Sequence, residues 1–185
     1  GFAAFAGLAI IAEPAVRVMV GPDWIGAAEI LPLLCIAGAV NALVSIQESY
    51  VLAINKLRRF LAAAAIEAAI GVLLIGVAGT FGLAAVAVAV VVRTIIAFYL
   101  RTRVVLTAES ISWPRYMSKL GTPLVVSAGM ASAVGIWYQF INGRSGDAFV
   151  VATSIALGIG CFLALVLILM PGTATRLVGL VRGRR

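Results

Sequence analysis

Gly82-Leu83-Ala84-Ala85-Val86-Ala87-Val88-Ala89-Val90-Val91-Val92-Arg93-Thr94-Ile95-Ile96-Ala97-Phe98-Tyr99-Leu100 contains one charge, Arg93. A membrane-crossing helix needs about 20 consecutive, mostly apolar residues, and this run meets that length. Five more windows do the same: 1–20, 28–54, 60–78, 121–141 and 148–170. Hydrophobic residues make up 63% of the chain and charged residues 11%, against about 45–50% and about 25% in soluble domains. A soluble fold has no interior large enough for that apolar surface. The expected fold is therefore all-α, a polytopic membrane bundle of about six transmembrane helices, forming a single membrane domain over 1–185.

The connections carry turn residues: Gly21-Pro22-Asp23, Asn55-Lys56, Gly79-Thr80-Phe81-Gly82 and Asn142 to Asp147. The second window is long and is expected to tilt or to begin at the interface. Basic residues alternate with the spans. Lys56, Arg58 and Arg59 follow the second window, Arg101, Arg103, Arg115 and Lys119 follow the fourth, and Arg176, Arg182, Arg184 and Arg185 form a basic tail over 171–185. The other connections hold Asp23 alone, no charge in 79–82, and Arg144 balanced by Asp147. The positive-inside rule then places both ends in the cytoplasm, on a bacterial inner membrane. The connection 101–120 is read as cytoplasmic. Within it, Ser112-Trp113-Pro114-Arg115-Tyr116 reads either as the start of a short interfacial helix, capped by Ser112, or as a simple loop.

The chain begins with Gly1 inside an apolar run, with no basic leader and no cleavage site. That is expected of the cut end of a longer chain rather than of a signal peptide. The net charge of +7 sits at membrane edges, so nucleic acid is not expected as a partner. With no histidine, imidazole metal sites and His-based triads are excluded within this sequence. Cys35 and Cys161 read as small buried apolar residues, not as a disulfide. No enzyme signature and no cofactor motif is present.

Charges inside membrane helices cost about 2.5–3.5 kcal/mol on insertion scales, so each is read as functional or as paired. Glu13 and Arg17 have the favourable acid-first spacing of an intrahelical pair, and Pro14 between them is expected to kink the helix or loosen a backbone hydrogen bond. Asn41, Ser45 and Glu48 fall on one helical face, with Gln47 beside it. That stripe is expected to face helices or water rather than lipid. Folding the third and fourth windows about the 79–82 turn sets Glu67 level with residue 93 or 94. Both then lie on the order of 10–12 Å from the cytoplasmic end, with Glu48 at a similar depth. Glu67 and Arg93 are expected within ion-pair distance, with Glu48 as the alternative partner of Arg93. Ala85, Ala89 and Ala97, and Ser127, Ala131 and Gly135 leading to Gln139, form small-residue faces that allow close helix packing. The candidate substrate or ion pathway residues are Asn41, Glu48, Glu67, Arg93, Glu13 and Gln139.

Several stretches together resemble the C-terminal half of polysaccharide flippases of the multidrug/oligosaccharidyl-lipid/polysaccharide exporter superfamily. They are Ala12-Glu13-Pro14-Ala15-Val16-Arg17-Val18-Met19-Val20-Gly21-Pro22-Asp23-Trp24, Ala27-Ala28-Glu29-Ile30-Leu31-Pro32-Leu33-Leu34 and Leu52-Ala53-Ile54-Asn55-Lys56. Phe81-Gly82-Leu83-Ala84-Ala85-Val86-Ala87 and Ser112-Trp113-Pro114-Arg115-Tyr116 complete the series. The resemblance implies a protein of twelve to fourteen helices in two similar bundles, this chain being the second and the N-terminal half absent. It implies alternating access around a central cavity, with membrane lipids as surroundings and an undecaprenyl-diphosphate-linked oligosaccharide as substrate. It carries over no site residue; the pathway candidates rest on physics alone. A multidrug or lipid II exporter of the same superfamily, and a polytopic enzyme of glycan assembly, remain open alternatives.

Overall fold

The computed structural model describes residues 1–53, 57–109, 112–141 and 146–169. The basic tail over 171–185 and the turns at Asn55-Lys56 and 142–145 lie outside the described residues. Seven α-helices are present among the described residues: α1 (Phe2–Ile10), α2 (Ala12–Met19), α3 (Gly26–Ala53), α4 (Leu57–Ala78), α5 (Leu83–Glu109), α6 (Trp113–Ile141) and α7 (Asp147–Leu169). Five of them are long and apolar enough to cross a membrane, and α1 with α2 passes the same test as one bent pair. This is an all-α membrane bundle.

The first window, 1–20, is corrected from one helix to two, and the kink expected at Pro14 takes the form of a full break. α1 and α2 meet at 85°, and α1, with 9 residues, is only about 14 Å long at 1.5 Å per residue. The cause is local. Pro14 has no N–H to bond the carbonyl of Ile10, and its ring crowds that carbonyl. The chain therefore breaks at Ile11, and a new helix starts with Pro14 in its first turn, where a missing donor does no harm. The Ala15 N–H then donates to the Ile11 carbonyl at 2.9 Å.

The connection over 101–120 is corrected as well. α5 continues to Glu109 and α6 starts at Trp113, so most of that stretch is helix belonging to its neighbours. Ser112 does stand at a helix start, its carbonyl accepting the Tyr116 N–H at 3.2 Å, but the helix is α6 itself and not a separate interfacial piece. Hydropathy falls after Leu100 because Arg101, Thr102 and Arg103 are polar. Arg101, Thr102 and Arg103 do not break helices, so the hydrogen-bonded backbone runs on.

α4 and α5 form an antiparallel hairpin through the single turn Gly79–Phe81. Gly82 closes that turn at φ 100°, a left-handed conformation that favours glycine. α5 packs on α3, α3 on α1, α1 on α6 and α6 on α7, while α2 crosses between α7 and α3. The interior holds many small side chains, among them Ala15, Cys35, Ala37, Ala87, Ala89, Ala97 and Ser127. Large ones point outward: Val72, Leu73, Phe81, Phe140 and Ile168 are all exposed. In water that arrangement has no driving force. In lipid it is the expected one, because helices there associate through close contact between small residues. Gly38 shows how close: a Cβ there would sit 2.5 Å from a ring carbon of Phe5 on α1. Cys35 and Cys161 are free thiols.

Candidate functional site

Glu67 lies on α4 facing α5, and only 4% of it is exposed. Its two carboxylate oxygens are divided between two arginines of α5. Arg93 donates from Nε at 3.2 Å and from Nη2 at 2.8 Å to Oε1. Arg101 donates from Nη2 to Oε2 at 2.5 Å. The level match between Glu67 and Arg93, expected from the hairpin register, is therefore a direct ion pair. Gly71, one turn along α4, makes room for it, since a Cβ there would sit 2.6 Å from Arg93 Cδ.

Arg101 was missing from the expected cluster. By the same register it stands level with Phe60, and its guanidinium does lie 5.0 Å from the centre of the Phe60 ring. It reaches Glu67 because side chains lean toward the N-terminus of their own helix. In an antiparallel hairpin, Glu67 leans toward the basic end while Arg101 leans away from it, and the two close a gap that level counting leaves open. The carboxylate with two guanidiniums leaves the cluster one positive charge in excess.

Glu48 is not part of it. It is exposed on α3 and forms no ion pair with a described residue; the alternative pairing with Arg93 is overturned. The α3 residue turned inward is its neighbour Gln47, 4% exposed. Gln47 Nε2 donates to Thr102 Oγ1 and to the Tyr116 hydroxyl, both at 2.8 Å, tying α3 to α5 and α6. Its Oε1 is buried without a partner among the described residues. One residue along a helix is a rotation of about 100°, and hydropathy does not decide which of two adjacent polar residues faces in.

Asn41, Ser45, Glu48 and Ser49 form an exposed polar stripe on α3, which no helix covers among the described residues. The hydroxyls of Ser45 and Ser49 donate back to the carbonyls of Asn41 and Ser45, each at 3.2 Å. Asn41 lies near the middle of the helix and Glu48 near its basic end. Glu13 and Arg17 pair along α2 at 2.5 Å, as their spacing predicts, and Arg17 also approaches Asp147 of α7 at 3.8 Å. Gln139 is exposed on α6. An apolar groove of about 570 Å³ is lined by α1, α2, α6 and α7, and Ser154, buried with its hydroxyl unpartnered among the described residues, is its polar point. Among the described residues, no group of three or more Cys, Asp or Glu gathers to hold a metal ion.

The six candidates thus separate into four places: Glu67 with Arg93 in the hairpin, Asn41 with Glu48 on the outer face of α3, Glu13 on α2, and Gln139 on α6. Comparisons with protein-family models, with curated proteins and with solved structures found no match.

Proposed function

We propose that this chain is one bundle of a two-bundle transporter that moves a lipid-linked oligosaccharide across a bacterial inner membrane by alternating access, with both of its ends in the cytoplasm. The observation that carries this reading is the uncovered stripe Asn41-Ser45-Glu48 on α3. A carboxylate and an amide facing hydrocarbon are costly. Facing a water-filled space between two bundles they are not, and that is where transporters of this architecture place their substrate path. The ordered motifs around Pro14, Pro32, Lys56, Gly82 and Trp113 support the substrate class through their resemblance to polysaccharide flippases. The alternation of basic and neutral connections supports the orientation.

The test uses the intact protein. Single cysteines at Asn41, Ser45 and Glu48, with Cys35 and Cys161 replaced by serine, are expected to react with a membrane-impermeant maleimide, while cysteines at Val72 and Leu73 are not. Glu48→Leu is expected to cut surface glycan in a flippase-null cell by at least about tenfold, the effect of a change in a transition-limiting interaction of about 1.4 kcal/mol. Silence of all three stripe positions toward maleimide, equal to that of Leu73, would place α3 against lipid and remove the cavity.

A further inference from the structure

The last three turns of α5 and the first turn of α6 border an open cleft of about 480 Å³ lined by Tyr99, Arg103, Leu106, Thr107 and Trp113. It is separate from the Glu67 cluster and from the α3 stripe. We propose that this cleft binds the phosphate of an anionic phospholipid, with Arg103 as the ligand for the phosphate and Trp113 against the lipid backbone.

The argument starts from how Arg103 is held. Its Nε donates to the Tyr99 hydroxyl at 3.0 Å, and its Cζ stands 5.3 Å from the centre of the Tyr99 ring. The two residues are four apart on one helix face. The ring in turn packs 5.7 Å from that of Trp113, which also meets Phe98 edge-on at 6.5 Å. The Tyr99 ring thus holds one guanidinium, and Trp113 with Phe98 holds that ring. A guanidinium has five N–H donors; one is used on Tyr99, and no carboxylate among the described side chains takes the rest. The contrast with Arg101, two residues earlier, is direct. Arg101 is spent on Glu67, whereas Arg103 presents its outer edge to the cleft.

Phosphate is the chemistry that edge fits, because a guanidinium binds it through two parallel N–H bonds. A lipid is the source the surroundings favour. Trp and Tyr gather at the headgroup layer of membrane proteins, and Leu106 and Trp113 give the cleft an apolar wall beside its cation. Arg58 and Arg115, both exposed, mark the same end of the bundle as basic, and a surface of that sign attracts anionic lipids. This inference rests on membrane insertion alone and not on the transport activity.

The test takes the intact protein in phosphatidylcholine vesicles, with every tryptophan except Trp113 replaced by phenylalanine, Trp24 and Trp137 included. Brominated phosphatidylglycerol is expected to quench Trp113 more than brominated phosphatidylcholine at equal mole fraction. Arg103→Ala is expected to lower the apparent affinity for the anionic lipid about fivefold, the scale of one arginine near a membrane surface. Tyr99→Leu, which keeps the charge but removes the ring and hydroxyl that aim it, is expected to lower it about twofold. Arg115→Ala, outside the cleft, leaves the preference in place. Equal quenching by the two lipids, an unchanged preference in Arg103→Ala, or an equal loss in Arg115→Ala would overturn the site in favour of diffuse surface charge. Displacement of the lipid by millimolar inorganic phosphate would overturn the lipid as the occupant.

Discussion

The α4–α5 hairpin and the α1–α2 elbow both carry charge on apolar helices, and they handle it in opposite ways. In the hairpin, Glu67 is buried beneath two arginines that come from another helix. In the elbow, Glu13 and Arg17 pair along their own helix and stay about half exposed, at 51% and 43%. Pro14 makes that exposure possible by turning α2 through 85°. A charge that stays level with hydrocarbon needs a partner across a helix interface. A charge on a helix turned out of line needs only its neighbour four residues away. The difference shows that helix direction, more than charge count, decides which ionisable residues are structurally committed.

The hairpin should therefore be fragile to single changes. Glu67→Ala leaves two guanidiniums without their carboxylate, Arg101 16% and Arg93 40% exposed. Breaking a fully buried pair costs about 3–5 kcal/mol, and solvent around Arg93 sets the expected loss at the lower end, about 3 kcal/mol. The expected outcome is loss of folded protein, read as yield and thermal unfolding in detergent. Glu67→Ala with Arg93→Ala is expected to recover part of the loss, because the second change removes one unpaired charge. Failure of the double variant to improve on Glu67→Ala would show that Arg101 alone dictates the penalty.

Smaller effects separate packing from charge. Gly38→Ala drives a methyl group into the Phe5 ring, and overpacking of that kind costs about 1–3 kcal/mol. Gly71→Ala meets Arg93 instead. A side chain can swing where a ring between helices cannot, so the loss is expected near the lower end of that range, about 1 kcal/mol. It is also expected to vanish in the Arg93→Ala background. A Gly71 effect that persists without Arg93 would mean that α4 and α5 themselves, not the arginine, demand the glycine.

The smallest effect is expected in the elbow. Glu13→Ala removes an exposed intrahelical pair worth about 0.3–0.5 kcal/mol. A loss comparable to that of Glu67→Ala would break the comparison and would mean that α2 is covered by another part of the assembled protein.

Much was legible from one dimension of the chain. Apolar run length determined the all-α fold and which stretches are long enough to span, though not where each helix breaks or ends, because a bilayer sets a minimum length that composition either meets or does not. Hairpin register determined that Glu67 and Arg93 share a level, since a short turn leaves little freedom along the helix axis. The small-residue faces around Ala89, Ala97 and Ser127 were legible too, because lipid-embedded helices pack where side chains are small.

The tertiary structure alone decided rotation and reach. Gln47 and Glu48 are adjacent and equally polar, and only the position of α5 and α6 turns Gln47 inward to Thr102 and Tyr116. Arg101 reads in sequence as a connection residue, yet the opposed lean of side chains in an antiparallel pair brings it to Glu67. Pro14 announces a kink, but the 85° angle depends on where α3 and α7 give α2 a surface to lie on. Hydropathy measures depth in the membrane. It does not measure the angle about a helix axis, and partners are chosen by that angle.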